Sequence, residues 1–317
     1  MAKPGDWTTT HDALGEALHF LRLSGTFYTR SEFSAPWGLA LPPMPDCLMF
    51  HVVDEGEAWL AVDGHERVRL RPGDLALVPH GLGHALEHAP GAAAAPLFDL
   101  PREAVSERYE ILRHGGGGAP ARMICGAVRF DHPAARQLVA LLPALVVIEA
   151  ANALHDDWIG HTLRLMAAEA RELRPGGETI ITRLADVVVI QAIRAWIARD
   201  PAARTGWLGA LNDRQVGRAL ALIHRDPARA WTLASLAGAV AMSRSAFAAR
   251  FAALVGMPAI EYVARWRMQL AAAALKDGRG TLADVAANLG YRSEAAFSRA
   301  FKRYVGVSPG TVRRGMT

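Results

Sequence analysis

The chain has 317 residues, of which 51% are hydrophobic and 21% charged, with a net charge of +4. That is enough apolar material for two ordinary cores, so two domains are expected. The longest apolar candidate, LVALLPALVVI (138–148), is broken by Pro143 and too short to span a bilayer, and two cysteines cannot frame a disulfide scaffold.

The opening MAKPGDWTTTHD lacks the apolar stretch of a secretory signal, so a reducing cytoplasm is the expected compartment and no membrane partner is expected. Charge is unevenly spread. Residues 206–317 carry 16 Lys and Arg against 6 Asp and Glu, whereas 1–205 carry 19 against 25. A basic C-terminal third beside an acidic remainder suggests a polyanion-binding module joined to something else.

From about residue 20 to 132 the pattern is β. Short runs rich in β-branched and aromatic residues, GTFYTRSEF, CLMFHVV, EAWLAV, RVRL, LALVP and ARMICGAVRF, are separated by turn signals. Asp63-Gly64 marks a hairpin, and RPGD (71–74) a further turn. Regular short strands favour a barrel or sandwich. EHAPGAAAAP (87–96) and HGGGG (114–118) read as loops inside this region. In CLMFHVV, alternation puts His51 on the face of Met49, and inward.

The spacing Gly73-x5-Pro79-x-Gly81-x2-His84-x3-His88 resembles the second motif of the cupin barrel, whose His is a metal ligand. The first cupin motif is degraded. With Gly56 as its final glycine, Met49 stands where cupin enzymes have Glu, and the His-x-His falls on PPMP. A cupin-type metalloenzyme with an appended nucleic-acid domain, the alternative function, is therefore disfavoured. A reduced effector or metal site is expected at His51, His84, Cys125 and His132. Imidazole and thiolate would suit Zn or Cu. The competing reading is satisfied core histidines and an inert buried cysteine.

Three helices are expected at about 133–147, 156–173 and 178–199. The last is apolar on more than one side, so one of these helices is expected to form a homodimer face. DPAARTGW (200–207) is the expected hinge.

The C-terminal region writes one pattern twice. TLASLAGAV (232–240) and TLADVAANL (281–289) each start with a capping Thr and carry apolar residues at i, i+3, i+4 and i+7. SRSAFAARFAALVG and SEAAFSRAFKRYVG follow, each capped by Ser. Phe247 and Phe251 match Phe297 and Phe301 at a shift of fifty. Two short helices around a tight turn make a helix-turn-helix. Between the copies, PAIEYVARWRMQLAAAALKDG reads as one helix of about 18 residues, spanning roughly 27 Å. Recognition helices in successive major-groove turns sit about 34 Å apart.

The stretch from about 213 to 314 resembles the DNA-binding domain of the AraC/XylS regulators. The resemblance rests on both helix-turn-helices, on RWRMQLAAAAL and on DVAANLGYRSEAAFSRAFKRYVGVSPGTVRR, with Gly290-Tyr291, Phe297, Phe301-Lys302, Gly306, Pro309 and Arg313. It implies a double-stranded operator, RNA polymerase as partner and, by family habit, activation. The chain departs from the pattern at Ala248-Ala249, where the family often carries a basic residue. Arg244, Ser245 and Arg250 of the first unit, and Arg292, Glu294, Ser298 and Arg299 of the second, are the candidate DNA contacts. Lys302, Arg303, Arg313 and Arg314 suit phosphates.

The sensor segments also resemble those of an AraC subgroup that includes an activator responding to reactive chlorine through two cysteines. Cys125 matches one of them. The other falls in a region that here holds Ser31, and Cys47 lies elsewhere. The signal is left as a small molecule or an oxidant.

The expected fold is α+β and multidomain. Residues 1–205 would hold a cupin-like β-barrel (about 20–132) and a helical dimerisation region (about 133–200). Residues 206–317 would form an all-α domain, with helix-turn-helices at about 232–255 and 281–305 and a linking helix at about 258–276.

Overall fold

The computed structural model describes residues 23–130, 135, 138–150, 158–172, 174–200 and 206–315. These divide into two compact units, one holding the described residues of 23–130 and 138–196, the other Ala135 and the described residues of 197–315.

The first unit is built on two sheets. The larger runs β12 (Val146–Ile148), β6 (Leu75–Val78), β3 (Cys47–Glu55), β11 (Pro120–Phe130), β1 (Leu23–Ser34), β10 (Tyr109–Gly115) and β9 (Arg102–Ala104). The smaller runs β5 (Val68–Leu70), β4 (Ala58–Val62), β7 (His84–Glu87), β2 (Gly38–Leu41) and β8 (Ala95–Pro96). Each sheet ends in short edge strands, and the described strands close no ring. The expected barrel is thus a pair of facing sheets. Their inner faces share one core, in which Met49, Val53, Met123 and Cys125 pack with Leu39, Leu60, Leu70 and Leu86.

β3 explains why that core does not exhaust the apolar residues. Its first seven residues are all buried, as expected when both faces are covered. Cys47, Met49, His51 and Val53 face the second sheet. Helix α1 (Trp158–Glu172) packs on β3, and the Ala170 carbonyl accepts from Tyr109 Oη at 3.0 Å and Arg30 Nη1 at 3.1 Å.

The expected turns form. Asp74 accepts from the Arg71 and Ala150 amides, both at 2.8 Å, and Gly73 takes φ +87. The loop 116–119 lies within the sensor between β10 and β11, both of which pair with β1. The helix expected at 133–147 is corrected in its C-terminal part: among its described residues 135 and 138–139 are helical, 140–141 turn, and Val146–Ile148 pairs with β6. Pro143 removes a helical donor, and the β-branched Val-Val-Ile run suits a strand. Helix α2 (Gly177–Arg199) follows as expected. Of the expected hinge, residues 201–205 lie outside the described ones.

In the second unit, α3 (Gly206–Asn212) and α4 (Arg214–Arg225) precede the repeats. The first repeat is α5 (Leu233–Ala239) and α6 (Arg244–Val255), and the second α8 (Leu282–Asn288) and α9 (Glu294–Val305). Between them runs α7 (Ala259–Lys276), 18 residues long, and α10 (Pro309–Arg313) ends the unit. Phe247, Phe251, Phe297 and Phe301 are fully buried. Truncating such a ring to Ala costs about 3–5 kcal/mol. No single described helix is long and apolar enough to cross a membrane.

Candidate nucleic-acid interface and sensor cavity

Each reading helix starts where its sequence says it should. Ser243 Oγ accepts from Ala246 N at 3.3 Å, and Ser293 Oγ from Ala296 N at 3.2 Å. α5 and α8 open with reciprocal caps, Thr232 with Ser235 and Thr281 with Asp284. Gly256 and Gly306, both left-handed, close α6 and α9. Caps of this kind contribute about 1 kcal/mol each.

The exposed faces of the two reading helices differ. α9 exposes Glu294, Arg299, Lys302 and Arg303, with Ser298 half-buried and Arg292 exposed in the turn before it. α6 exposes Arg244 and Ser245 at its N-terminus, then Ala249, Ala252 and Ala253. Arg250 is exposed too, but it is bound: its Nε and Nη2 donate to Asp213 Oδ2 at 3.0 and 2.5 Å. Asp213 is also the N-cap of α4, accepting from Gln215 and Val216 amides. Burial raises its carboxyl, but the Arg250 and amide hydrogen bonds outweigh that, and the net is a lowered pKa. Arg250 therefore ties the first reading helix to α4. Arg313 and Arg314 are exposed in and after α10.

Two features hold the repeats in one body. Arg267, on α7, donates to the Pro227 carbonyl at 2.6 Å and the Arg229 carbonyl at 2.8 Å. Its guanidinium lies 5.8 Å from the Tyr291 ring centroid. At the second turn, Gly290 (φ +78) runs so close to the loop before α5 that a Cβ there would fall 2.2 Å from the Ala228 carbonyl oxygen. The turn of the second module thus rests on the loop that enters the first. Within the first module, Tyr262 Oη accepts from Trp207 Nε1 at 3.0 Å and lies 2.7 Å from His224 Nε2. Burial raises this phenol strongly. Sequence reasoning missed α3, α4 and these buried polar partners.

In the sensor, register assembles the predicted residues. Thr29 pairs with Cys125, Cys125 with His51, and His51 with Ala76, so these four side chains share the inner face. His84 reaches across from the smaller sheet, and its Nε2 lies 2.7 Å from His51 Nε2. His84 Nδ1 is 2.8 Å from the Leu82 carbonyl. Burial lowers both histidines, His51 well below the usual imidazole range with His84 adding to it. His88 is not part of this group: its Nδ1 sits 2.8 Å from Trp37 O. His132 lies outside the described residues.

A cavity of about 440 Å³ opens beside the pair, lined in part by Leu41, Met44, Cys47, Met49, His51 and Cys125. Sequence reasoning placed Cys47 elsewhere; the alternation Cys47-x-Met49-x-His51 puts all three on the cavity wall. The two thiols are not disulfide partners in this fold. Cys125 pairs with His51, four residues along β3 from Cys47, a separation of roughly 13 Å at ~3.3 Å per residue. A disulfide needs Cα atoms within about 7 Å. Burial also pushes the Cys125 thiol up to about 12, against a weak opposing hydrogen bond from Ser31.

Among the described residues, no group of three or more His, Cys, Asp or Glu side chains could hold a metal ion. The two imidazole nitrogens stand at hydrogen-bonding distance from each other.

Known proteins agree with this architecture. A cupin family model matches residues 12–198, and a helix-turn-helix domain model matches residues 236–315. A putative AraC-like transcription regulator of Streptomyces lividans is 36% identical over 315 residues, covering 96% of this chain and 99% of that one. The RCS-specific HTH-type transcriptional activator RclR of Escherichia coli (strain K12) is 24% identical over 303 residues, covering 95% and 97%. The DNA-binding domain of AdpA, a global transcriptional factor crystallised with a target DNA, aligns with 31% of this chain and 89% of that one, at 26% identity and a TM-score of 0.30. With a family model spanning more than half its length and a full-length relative above 30% identity, the chain belongs to the AraC-like transcription regulators, DNA-binding proteins and not enzymes, with a cupin sensor ahead of the helix-turn-helix domain.

Proposed function

We propose that the chain is an effector-responsive activator that grips one face of an operator with both helix-turn-helices. The observation that carries this is the pair of capped bihelical units joined by an 18-residue helix and clamped by Arg267. Arg292, Glu294, Ser298 and Arg299 read base edges in the second half-site, and Arg244 and Ser245 in the first. Lys302, Arg303, Arg313 and Arg314 hold phosphates. Arg250 acts indirectly, by fixing α6 on Asp213. The active form is a homodimer that contacts RNA polymerase in the cytoplasm, where its operator lies. Signal binding at the sensor favours the DNA-competent state, as it can only by binding that state better.

Footprinting on a series of mutated operators tests the division of labour. Arg299→Ala should relax specificity at one base pair and cost about 1–3 kcal/mol, whereas Lys302→Ala should weaken all sequences alike. Equal, sequence-blind losses from both would refute the assignment.

A further inference from the structure

The sensor cavity, about 440 Å³, is of small-molecule size, within the ~300–1000 Å³ common for such sites. Its wall is mostly carbon and sulfur. Met44, Cys47, Met49 and Cys125 all contribute, and thioethers adapt to irregular apolar shapes.

The polar groups on that wall are nearly all committed. Thr29 Oγ1 donates to Glu110 Oε1 at 3.4 Å. Arg102 pairs with the same carboxylate at 3.7 Å and lies over the Phe98 ring. Arg129 also has an interaction partner. No cation on the wall is therefore left to meet a buried anion, and an unpaired buried charge is strongly disfavoured.

His51 is the exception, and its chemistry follows from its neighbours. The Leu82 carbonyl can only accept a hydrogen bond, so His84 carries its proton on Nδ1, donates it there, and presents a bare Nε2. His51 must then donate from its own Nε2. That leaves His51 Nδ1 as a bare acceptor, buried and with no partner among the described residues. It is a hydrogen-bonding position on a cavity-lining ring that the protein does not fill.

We propose that this cavity binds an uncharged, largely apolar molecule carrying one hydroxyl or N–H donor, which bonds to His51 Nδ1. This deepens the regulatory reading and rests on it for its consequence, while binding itself is measured without DNA.

The test is calorimetric titration of the full chain at pH 7.5 with three matched probes: 2-naphthol, naphthalene and 2-naphthoate. 2-Naphthol should saturate one site per chain, at least tenfold more tightly than either analogue. His51→Leu should bring it to the affinity of naphthalene. Ala127→Phe, which fills the cavity from β11, should remove saturable binding, with circular dichroism as the check on folding. If that variant does not fold, Met44→Trp on the half-buried loop before β3 serves the same end. Tighter or equal binding of 2-naphthoate or naphthalene, saturation that survives both filled variants, or no saturation by any probe would overturn the proposal. Footprints of the unliganded chain, run in parallel, separate the two readings. Loss of the footprint with intact naphthol binding would sink the regulatory reading alone.

Discussion

Ala241 and Gly290 occupy the same place in the two turns, one residue beyond the C-cap of each first helix. Both take positive φ, +55 and +78. Glycine does so freely; alanine loses about 1–2 kcal/mol there. Ala241→Gly should therefore stabilise the DNA-binding unit by about 0.5–1 kcal/mol, after the greater unfolded freedom of glycine is subtracted; urea unfolding measures it. Asp213 gives a pH signature. Its folded pKa lies below the ordinary 3.8, so its contribution is complete above that value and is lost as pH falls through the depressed one. The acid limb of the unfolding curve below about pH 4 should be shallower in Asp213→Asn than in the parent. Cys125 bears on oxidant sensing. With its thiol pushed up to about 12 and buried, it should react with a thiol-specific disulfide reagent far more slowly in the native protein than in urea. Stopped-flow kinetics checks this, and rapid native labelling would revive a thiol switch. His51 and His84 were legible as partners because motif spacing and strand alternation are local. The same alternation holds Cys47 on their face, whereas the place of Cys125 beside His51 depends on the pairing of β3 with β11.

At the scale of elements, legibility followed the range of the signals. The reading helices and the linking helix came out within a residue or two of their expected bounds. Their caps, stop glycines and apolar stripes all lie within a few neighbours. β10 was missed because YEILRHG carries charge at both ends, and it enters the sheet only by pairing in parallel with distant β1. β12 was read as helix because the chain around Pro143 is short of turn signals, and only β6 shows the run to be extended. Gly290 tests the packing of the second turn. A methyl there would meet the Ala228 carbonyl oxygen at 2.2 Å, backbone that cannot swing aside. Gly290→Ala should cost at least about 2 kcal/mol and broaden the melting of the DNA-binding unit.

Across the molecule, charge separates the two jobs. The basic excess lies in 206–317, which holds the helix-turn-helix domain, and the remainder is acidic. If Lys302 and Arg303 each neutralise one phosphate, removing both should flatten the plot of log affinity against log salt by about 1.8. A change in specificity with no change in slope would move them from phosphate to base. The two-unit plan was visible in composition and repeat alone. The sensor's cavity was not, because it forms between sheets whose order no local pattern encodes.

The single helix α7 has an evolutionary corollary. Adding one residue to it would turn everything downstream by about 100° and advance it by about 1.5 Å, tearing Gly290 from its seat. A two-turn insertion would recover the facing but carry α9 some 10 Å onward, roughly a third of a duplex turn, to the wrong side of the double helix. No small change in length gives a working intermediate. Descendants of this protein can acquire new targets by rewriting exposed letters on α6 and α9, while the distance between the two words they recognise stays frozen.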